Sequence, residues 1–395
     1  MPITIITIFY SFSIKLTTVE KGTTMKLKLK KEDLNKGLQA VHRIAQLSNT
    51  ELHTQSGFLI KAVSEHIEFQ ANGFDMAIRI HVPGIIEEKG EAYIANPYLT
   101  ELTRRLPGDE IEMIKQNGDT QLLLKGGKLK FECLTINPDD FSEVDVVNSG
   151  QVQFTTDSIT LKDLIEHTAF ACSTDTVRPI FSGTYLDVSG TTINMVATDT
   201  HRLAYKSASL EKPVDQPFKA VIPSRLLAEI SRHLPTDIPE MVDIILLRNS
   251  LAVTFTNVYM KTRLIEGEFP DYHRVIPSQF SCVATVNRQE FTNAVERASL
   301  IAKDAGYNVI DFMVTNESIN MTSQNPDYGT IADSVPCQAI GDPLHIALNG
   351  KLLLDLLKHC EADDVVLKLG ENKPVLVQNK DDNNCLFVVT PMRTK

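Results

Sequence analysis

Asp199 and His201 stand two residues apart in the segment VATDTHRLA (Val196 to Ala204), with Thr198 and Thr200 beside them. A carboxylate, an imidazole and neighbouring hydroxyls are the groups from which a nucleophile and its base are assembled. The rest of the chain does not support that chemistry. It contains no GxSxG elbow, no HExxH helix and no GxxxxGKS/T phosphate loop. Two further copies of the same turn, in the repeat described below, carry Gly73 with Asp75 and Asn325 with Asp327 instead. A turn that recurs without the pair is required by the fold and not by a reaction, so no catalytic residue is expected.

Thiols give the second test for chemistry. Cys133, Cys172, Cys282, Cys337, Cys360 and Cys385 form no CxxC pair and no metal-ligand spacing, which predicts reduced cysteines in a cytoplasmic protein, with no metal and no cofactor. The net charge of -11 excludes a protein that coats nucleic acid with its whole surface, because phosphate binding needs Lys and Arg. A local basic surface remains compatible with it. The apolar stretch from Ile3 to Ile14 is broken by Ser and Thr and too short to span a bilayer. Residues 1–24 are therefore expected to be a disordered extension or a mis-assigned start, with the folded protein beginning at Met25.

The elements that position these residues follow from an internal repeat. IEFQANGFD at Ile67, INMVATDTH at Ile193 and INMTSQNPD at Ile319 recur at a constant offset, since 193 − 67 and 319 − 193 are both 126. Each is preceded by a second strand-like run: GFLIKAVSE, GTYLDVSGT and VIDFMVTNE. An amphipathic helix opens each copy, with Leu34, Leu38 and Val41, then Leu161, Leu164 and Thr168, then Phe291, Val295 and Ala298 on its inner face. A second helix follows, with inner positions Leu99, Leu102 and Leu106, Leu227, Ile230 and Leu234, and Leu353, Leu356 and Cys360. Alternating runs such as EIEMI, VDIILL and VVLKL close each copy as strands. Two striped helices and one-faced strands must bury their apolar sides together, which predicts an α+β fold of three tandem domains, each two helices packed on antiparallel sheet. Their expected bounds are 25–150, 151–280 and 281–395.

On the second helices, the residue two places after the middle apolar position lies about 200° round, at about 100° per residue. Those residues are Arg104, Arg232 and Lys358. Three equivalent outward cations on an acidic chain predict one basic face, to which Arg105 and, from the first helices, Arg43, Arg297 and Lys303 are added as candidates. Such a face contacts phosphate without reading bases, weakly and with strong salt dependence.

Several local motifs now carry a family resemblance. TVRPIFSG (Thr176 to Gly183), VATDTHRLA, LIEGEFPDYHRVIP (Leu264 to Pro277) and VVTPMR (Val388 to Arg393) together resemble the beta subunit of bacterial DNA polymerase III, and the resemblance runs from MKLKLKKEDL at Met25 to the end. It implies a sliding clamp: a head-to-tail homodimer whose six domains form a ring around duplex DNA, held there without sequence preference, with no enzymatic activity. The partners implied are the replicative polymerase's catalytic subunit, the clamp loader and other proteins carrying a short motif with hydrophobic anchors.

Carried over position by position, the resemblance implies a peptide groove walled by Phe181, Thr198, Thr200, His201, Arg202, Leu203, Pro270, Arg274, Val275, Pro374, Val388, Thr390, Pro391 and Met392. It places Phe131 and Cys133, and Leu300 and Ile301, at the seam between two copies. The chain departs from the family pattern at Phe181, where Leu is usual, and at Thr390, where an apolar residue is common. Its first domain has NTELHTQSG (Asn49 to Gly57) in place of an RPIL-like segment, and Pro179 and Ile180 stand where some members use aromatic residues against DNA. These departures leave a second reading open, a divergent clamp paralogue that binds peptides as a scaffold without encircling DNA.

Overall fold

A computed structural model describes residues 24–46, 57–63, 65–95, 98–175, 177–302 and 308–392. The expected character of residues 1–23, and Lys303, lie outside that set. The chain separates into two compact units, one reaching to Val146 with Asn257–Tyr259 added, the other holding the remainder of 147–395.

In the first unit, strand Met25–Lys30 runs into helix α1 (Lys31–Gln46), and α2 is Leu99–Arg105. Leu34, Leu38, Val41 and Ile44 of α1 are fully buried, as their i, i+4, i+7 spacing requires. Gly37 sits where α1 crosses Phe69, and a Cβ there would meet the ring at 2.9 Å. A mid-helix glycine costs roughly 0.5–1 kcal/mol relative to alanine; here the close approach of the aromatic ring explains it. The expected inner residue Leu102 of α2 is only half-buried. Thr103 is buried in its place because its hydroxyl donates to Asn35 Oδ1 of α1 at 2.9 Å, an inter-helix bond that apolar spacing does not reveal.

One antiparallel sheet of this unit has the order 85–88, 25–30, 110–115, 121–126, 129–134, leaving Leu129–Leu134 as an edge. A second set pairs 76–82, 66–72, 58–63 and 90–94 in that order. Its outer face carries a polar network that holds residues 142–144: Gln70 Oε1 accepts the Val144 amide at 2.8 Å, Arg79 donates to the Val144 carbonyl at 2.7 Å and Asn72 to that of Ser142 at 3.1 Å.

The second unit contains two further copies. Their first helices are α3 (Ser158–Glu166) and α5 (Arg288–Ala302), their second helices α4 (Ser224–His233) and α6 (Gly350–Leu357). Asp157 caps α3 through the Thr160 amide at 2.8 Å, and Asn287, at the same place before α5, accepts the Glu290 amide at 3.0 Å. The recurrent strand is His66–Asn72, Thr192–Thr198 and Ser318–Asn325, so the observed starts keep the offset read from the residues. All expected inner positions of α3 to α6 and their C-terminal ends are buried, including Leu161, Leu164, Thr168, Phe291, Ile230 and Leu356.

The middle and last copies share one twelve-stranded sheet, ordered 218–223, 183–189, 192–198, 202–209, 385–389, 375–379, 364–369, 282–287, 329–341, 318–325, 309–314, 344–349. The joint is the antiparallel pair 202–209 with 385–389, in the register Arg202↔Val389, Leu203↔Val388, Ala204↔Phe387. Behind it a single apolar core runs from Ala171, Ala197 and Ala204 to Phe387 and Val389. None of the described helices is long and apolar enough to cross a membrane.

Candidate binding groove

The turn after strand Thr192–Thr198 is built by its own side chains. Asp199 Oδ1 accepts the amides of His201 and Arg202, both at 2.9 Å, while Thr198 Oγ1 donates to the Arg202 carbonyl at 2.6 Å and accepts the Thr200 amide at 3.1 Å. Asp199 is therefore occupied as a turn former and its neighbour His201 points to solvent, which removes the base from any nucleophile. Thr200 is held at φ 78°, the left-handed region that suits glycine.

Beyond the turn the chain enters the joint of the shared sheet. Thr390 reaches back to the His201 carbonyl with both its amide (2.9 Å) and its hydroxyl (3.0 Å). Leu203 and Val388, paired across the joint, are each 1% exposed and belong to an apolar cluster with Val196, Val221, Phe269 and Tyr272. They make a floor from beneath and present little surface of their own. Phe181 packs on this cluster from a short 3-10 turn, edge-on to Phe269 with centroids 6.1 Å apart, and the Arg178 guanidinium lies 5.3 Å from its ring.

The opposite rim is the loop through Pro270, Arg274 and Val275. Asp271 organises it, accepting the His273 amide at 3.2 Å and pairing with Arg274 Nε at 3.1 Å. Phe269 and Tyr272 turn inward while Pro270, Arg274 and Val275 remain exposed, so the rim offers an apolar edge with a cation beside it. Pro374 leads into strand 375–379, whose register Val375↔Val389 sets it by the end of 385–389. Pro391 and Met392 follow, half-buried, with the Met392 amide on the Ala347 carbonyl at 2.8 Å.

Arg202 has a different place from the others. Its side chain is 11% exposed; Nη1 lies 2.9 Å from Asp355 Oδ2 on α6, Nε 3.0 Å from Asp199 Oδ2, and Nη2 donates to the Phe170 carbonyl at 3.0 Å. It ties the last two copies together under the groove. Phe170 in turn stacks on His359 with ring centroids 3.7 Å apart and the planes nearly parallel. The sequence reading missed Phe269, Tyr272, Phe170 and Asp355. The aromatic pair was visible inside EGEFPDYHR, whereas Asp355 is signalled only by an acidic residue on a helix that otherwise presents leucines.

The same junction holds the one group of described residues with metal-ligand geometry, Asp163, His167 and Glu361. Lys206 Nζ already stands 3.1 Å from Asp163 Oδ2, and His167 Nδ1 is 2.8 Å from Asp163 Oδ1. A lysine and a donating imidazole fill the role a cation would take, so the donor set does not fit a metal. Burial of His167 opposes its charged form, but hydrogen bonds to Asp163 outweigh burial and raise its pKa.

The expected basic face is outward as the helical spacing requires, yet neutralised locally. Arg104 pairs with Glu101 at 3.9 Å, Arg232 with Glu229, and Lys358 with Asp355 at 3.8 Å, in each copy an acid one turn earlier on the same helix. Arg105 also meets Glu101, at 2.5 Å, and Arg297 meets Asp333 at 2.7 Å; Arg43 is half-buried. At the positions expected for a seam, Phe131 is half-buried and Cys133 1% exposed on edge strand 129–134, where the apolar side chains that reach solvent are Leu134 (70%) and Leu129 (36%). Leu300 is 71% exposed near the end of α5, and Ile301 half-buried.

Comparison with known proteins finds relatives from residue 25 to residue 393. Residues 25–145, 155–271 and 273–393 match, in order, the families described as DNA polymerase III beta subunit N-terminal, central and C-terminal domains. The beta sliding clamp of Bacillus subtilis is 30% identical over 382 residues, covering 94% of this chain and 100% of that protein. That of Staphylococcus epidermidis is 28% identical over 87% of this chain and 93% of its own. Among solved structures, the sliding clamp from Bacillus subtilis superposes with a TM-score of 0.87 at 28% identity, and a Pseudomonas aeruginosa sliding clamp bound to griselimycin with 0.86 at 27%, each covering 94% of this chain and 100% of the other.

Proposed function

Because the chain belongs to the bacterial DNA polymerase III beta-subunit family, the beta sliding clamps, we propose that two copies close head to tail into a six-domain ring around duplex DNA. Its role as a non-catalytic processivity factor follows from that membership. The groove over Leu203 and Val388 receives a short segment with apolar anchors from the polymerase catalytic subunit, the clamp loader or another replication or repair protein, and so tethers them to DNA.

The observation that carries this reading is the threefold copy of one helix-and-sheet unit, matched end to end by a full-length relative. The groove supports it chemically: Phe181, Val275, Pro391 and Met392 supply apolar contact, and exposed His201 and Arg274 supply polar orientation. Edge strand 129–134 of one copy and the Leu300 end of α5 in the other meet at the seam, since an unpaired edge with an exposed leucine invites pairing. Arg43, Arg104, Arg105, Arg232, Arg297, Lys303 and Lys358 make weak phosphate contacts.

The ion pairs one turn behind Arg104, Arg232 and Lys358 favour a second reading, a peptide-binding scaffold with little hold on DNA. Loading onto a circular duplex by the cognate clamp loader separates the two. Release when the circle is cut by a nuclease shows topological linkage; failure to load, or equal retention on linear DNA with free ends, makes the scaffold the better account.

A further inference from the structure

Beside the groove, on the far side of the Phe269 to His273 loop, lies a cavity of about 570 Å³ that shares Phe269, Pro270 and Tyr272 with the groove wall. Its volume is within the range of sites that hold small ligands or side chains. One wall is aromatic: Tyr185 stacks on Phe269 at 4.8 Å with 10° between the planes, and Tyr272 stands 6.2 Å from Tyr185.

The lining carries four carboxylates, Asp187, Glu266, Glu268 and Asp271, against two permanent cations, Lys219 and Arg248. Lys219 is committed to Asp187 at 3.8 Å, and Asp271 to Arg274 and His273. Glu266, Glu268 and Arg248 are exposed and, among the described residues, engage in no ion pair or hydrogen bond, so the unspent charge facing the cavity is two carboxylates against one guanidinium, a net of one negative. Phe269 and Tyr272 are buried behind half-buried Tyr185, and the Tyr185 ring next to free carboxylates is a receptor for a cation, which gains from the ring quadrupole and more from the charge.

We propose that this cavity takes an arginine or lysine side chain flanking the anchor motif of the same bound segment, making it a specificity subsite for partners with a basic flank. The inference rests on the groove reading for its occupant. A segment seated over Leu203 and Val388 must pass the Phe269 to Tyr272 loop to leave on this side, so a residue near the anchors is delivered to the carboxylates without a second binding event.

Four synthetic peptides test it against the full-length protein by fluorescence anisotropy: one with a Leu-Phe anchor flanked by alanines, the same anchor flanked by two arginines, the same flanked by two glutamates, and the arginines without the anchor. The arginine-flanked peptide is expected to bind at least about fivefold more tightly than the alanine one in low salt, where an aromatic cation site is strongest. Glu266→Gln with Glu268→Gln should abolish that advantage and leave the alanine peptide unchanged. Glu65→Gln with Glu88→Gln, two exposed acids of the first unit, should leave it intact. Equal affinities, a preference for glutamates, or an advantage that survives the 266/268 double variant overturns the proposal. If the anchor peptides fail while the anchorless arginine peptide binds and is lost in the 266/268 variant, the groove reading falls and the cation site stands. If no peptide binds, both fall.

Discussion

Arg202 and Asp355 are 153 residues apart in sequence and 2.9 Å apart in the fold, one on the first strand of the inter-domain joint and the other on α6 of the last domain. The bridge places a charge pair beneath the groove at the point where two duplicated domains share a sheet. Removing Asp355 leaves the Arg202 guanidinium largely buried with Asp199 as its remaining acid. Asp355→Ala is expected to cost about 2–3 kcal/mol, below the range for fully buried pairs because Asp355 keeps some solvent. Asp355→Asn, which still accepts from the guanidinium, should lose less. Urea unfolding measures both, and an alanine variant within about 0.5 kcal/mol of the parent would show the bridge to be idle.

Thr200 occupies a left-handed backbone conformation at φ 78°, held by the turn bonds of Thr198 and Asp199. Relief of that strain by Thr200→Gly is offset in part by the greater freedom of glycine in the unfolded chain. A net gain of about 0.5 kcal/mol is expected, seen as a small rise in Tm. A fall in Tm would mean that the weak contact of its hydroxyl with Arg178, at 3.4 Å, outweighs the strain.

His167 gives the junction a pH dependence whose sign is fixed. Its pKa is raised in the fold, burial being outweighed by Asp163, so its contribution is full below the unfolded value of about 6.5 and is lost as pH rises through the folded value. Lys206, Glu361 and His359 are the other titratable groups facing it. The Tm difference between the parent and His167→Gln should be largest near pH 6 and shrink by pH 9. A difference independent of pH would remove the charged imidazole from the account.

Glu101 neutralises both Arg104 and Arg105. Glu101→Gln frees them, and the plot of log affinity for duplex DNA against log salt should steepen, by up to about 0.9 per arginine that reaches a phosphate. An unchanged slope would place these arginines away from DNA.

Burial pushes the thiols of Cys360 and Cys385 up to about 12 and that of Cys172 to about 11, far from the thiolate needed for reaction. Only Cys337 is partly exposed. A disulfide reagent at pH 8 should therefore titrate no more than one thiol per native chain quickly, and all six after denaturation.

The helices and the recurrent strand were legible because burial follows a period. Leu34, Leu161 and Phe291 face inward for the same reason in three places, and a 126-residue offset multiplies one weak signal by three. Thr103 broke the pattern because a hydroxyl that finds Asn35 buries as readily as a leucine. The groove was legible as a set of motifs but not as a surface: spacing could not say that Leu203 and Val388 are floor or that Arg202 turns away to Asp355. The pairing of Arg104 with Glu101 did lie within the sequence, at i and i−3, and charge counted residue by residue overlooked it.

The backbone pairing of 202–209 with 385–389 also restricts how the molecule can deform. A slip of 202–209 by one residue would turn Leu203 away from the face that Val388 keeps and bring Arg202 and Lys206 off their acids, since side chains alternate along a strand. No small creep exists between those two strands; they hold one register or part altogether. Parting would open the apolar core shared by Ala204, Phe387 and Val389, so the middle and last domains behave as a single stiff segment, and in the proposed ring a gate that admits DNA lies somewhere other than at this joint.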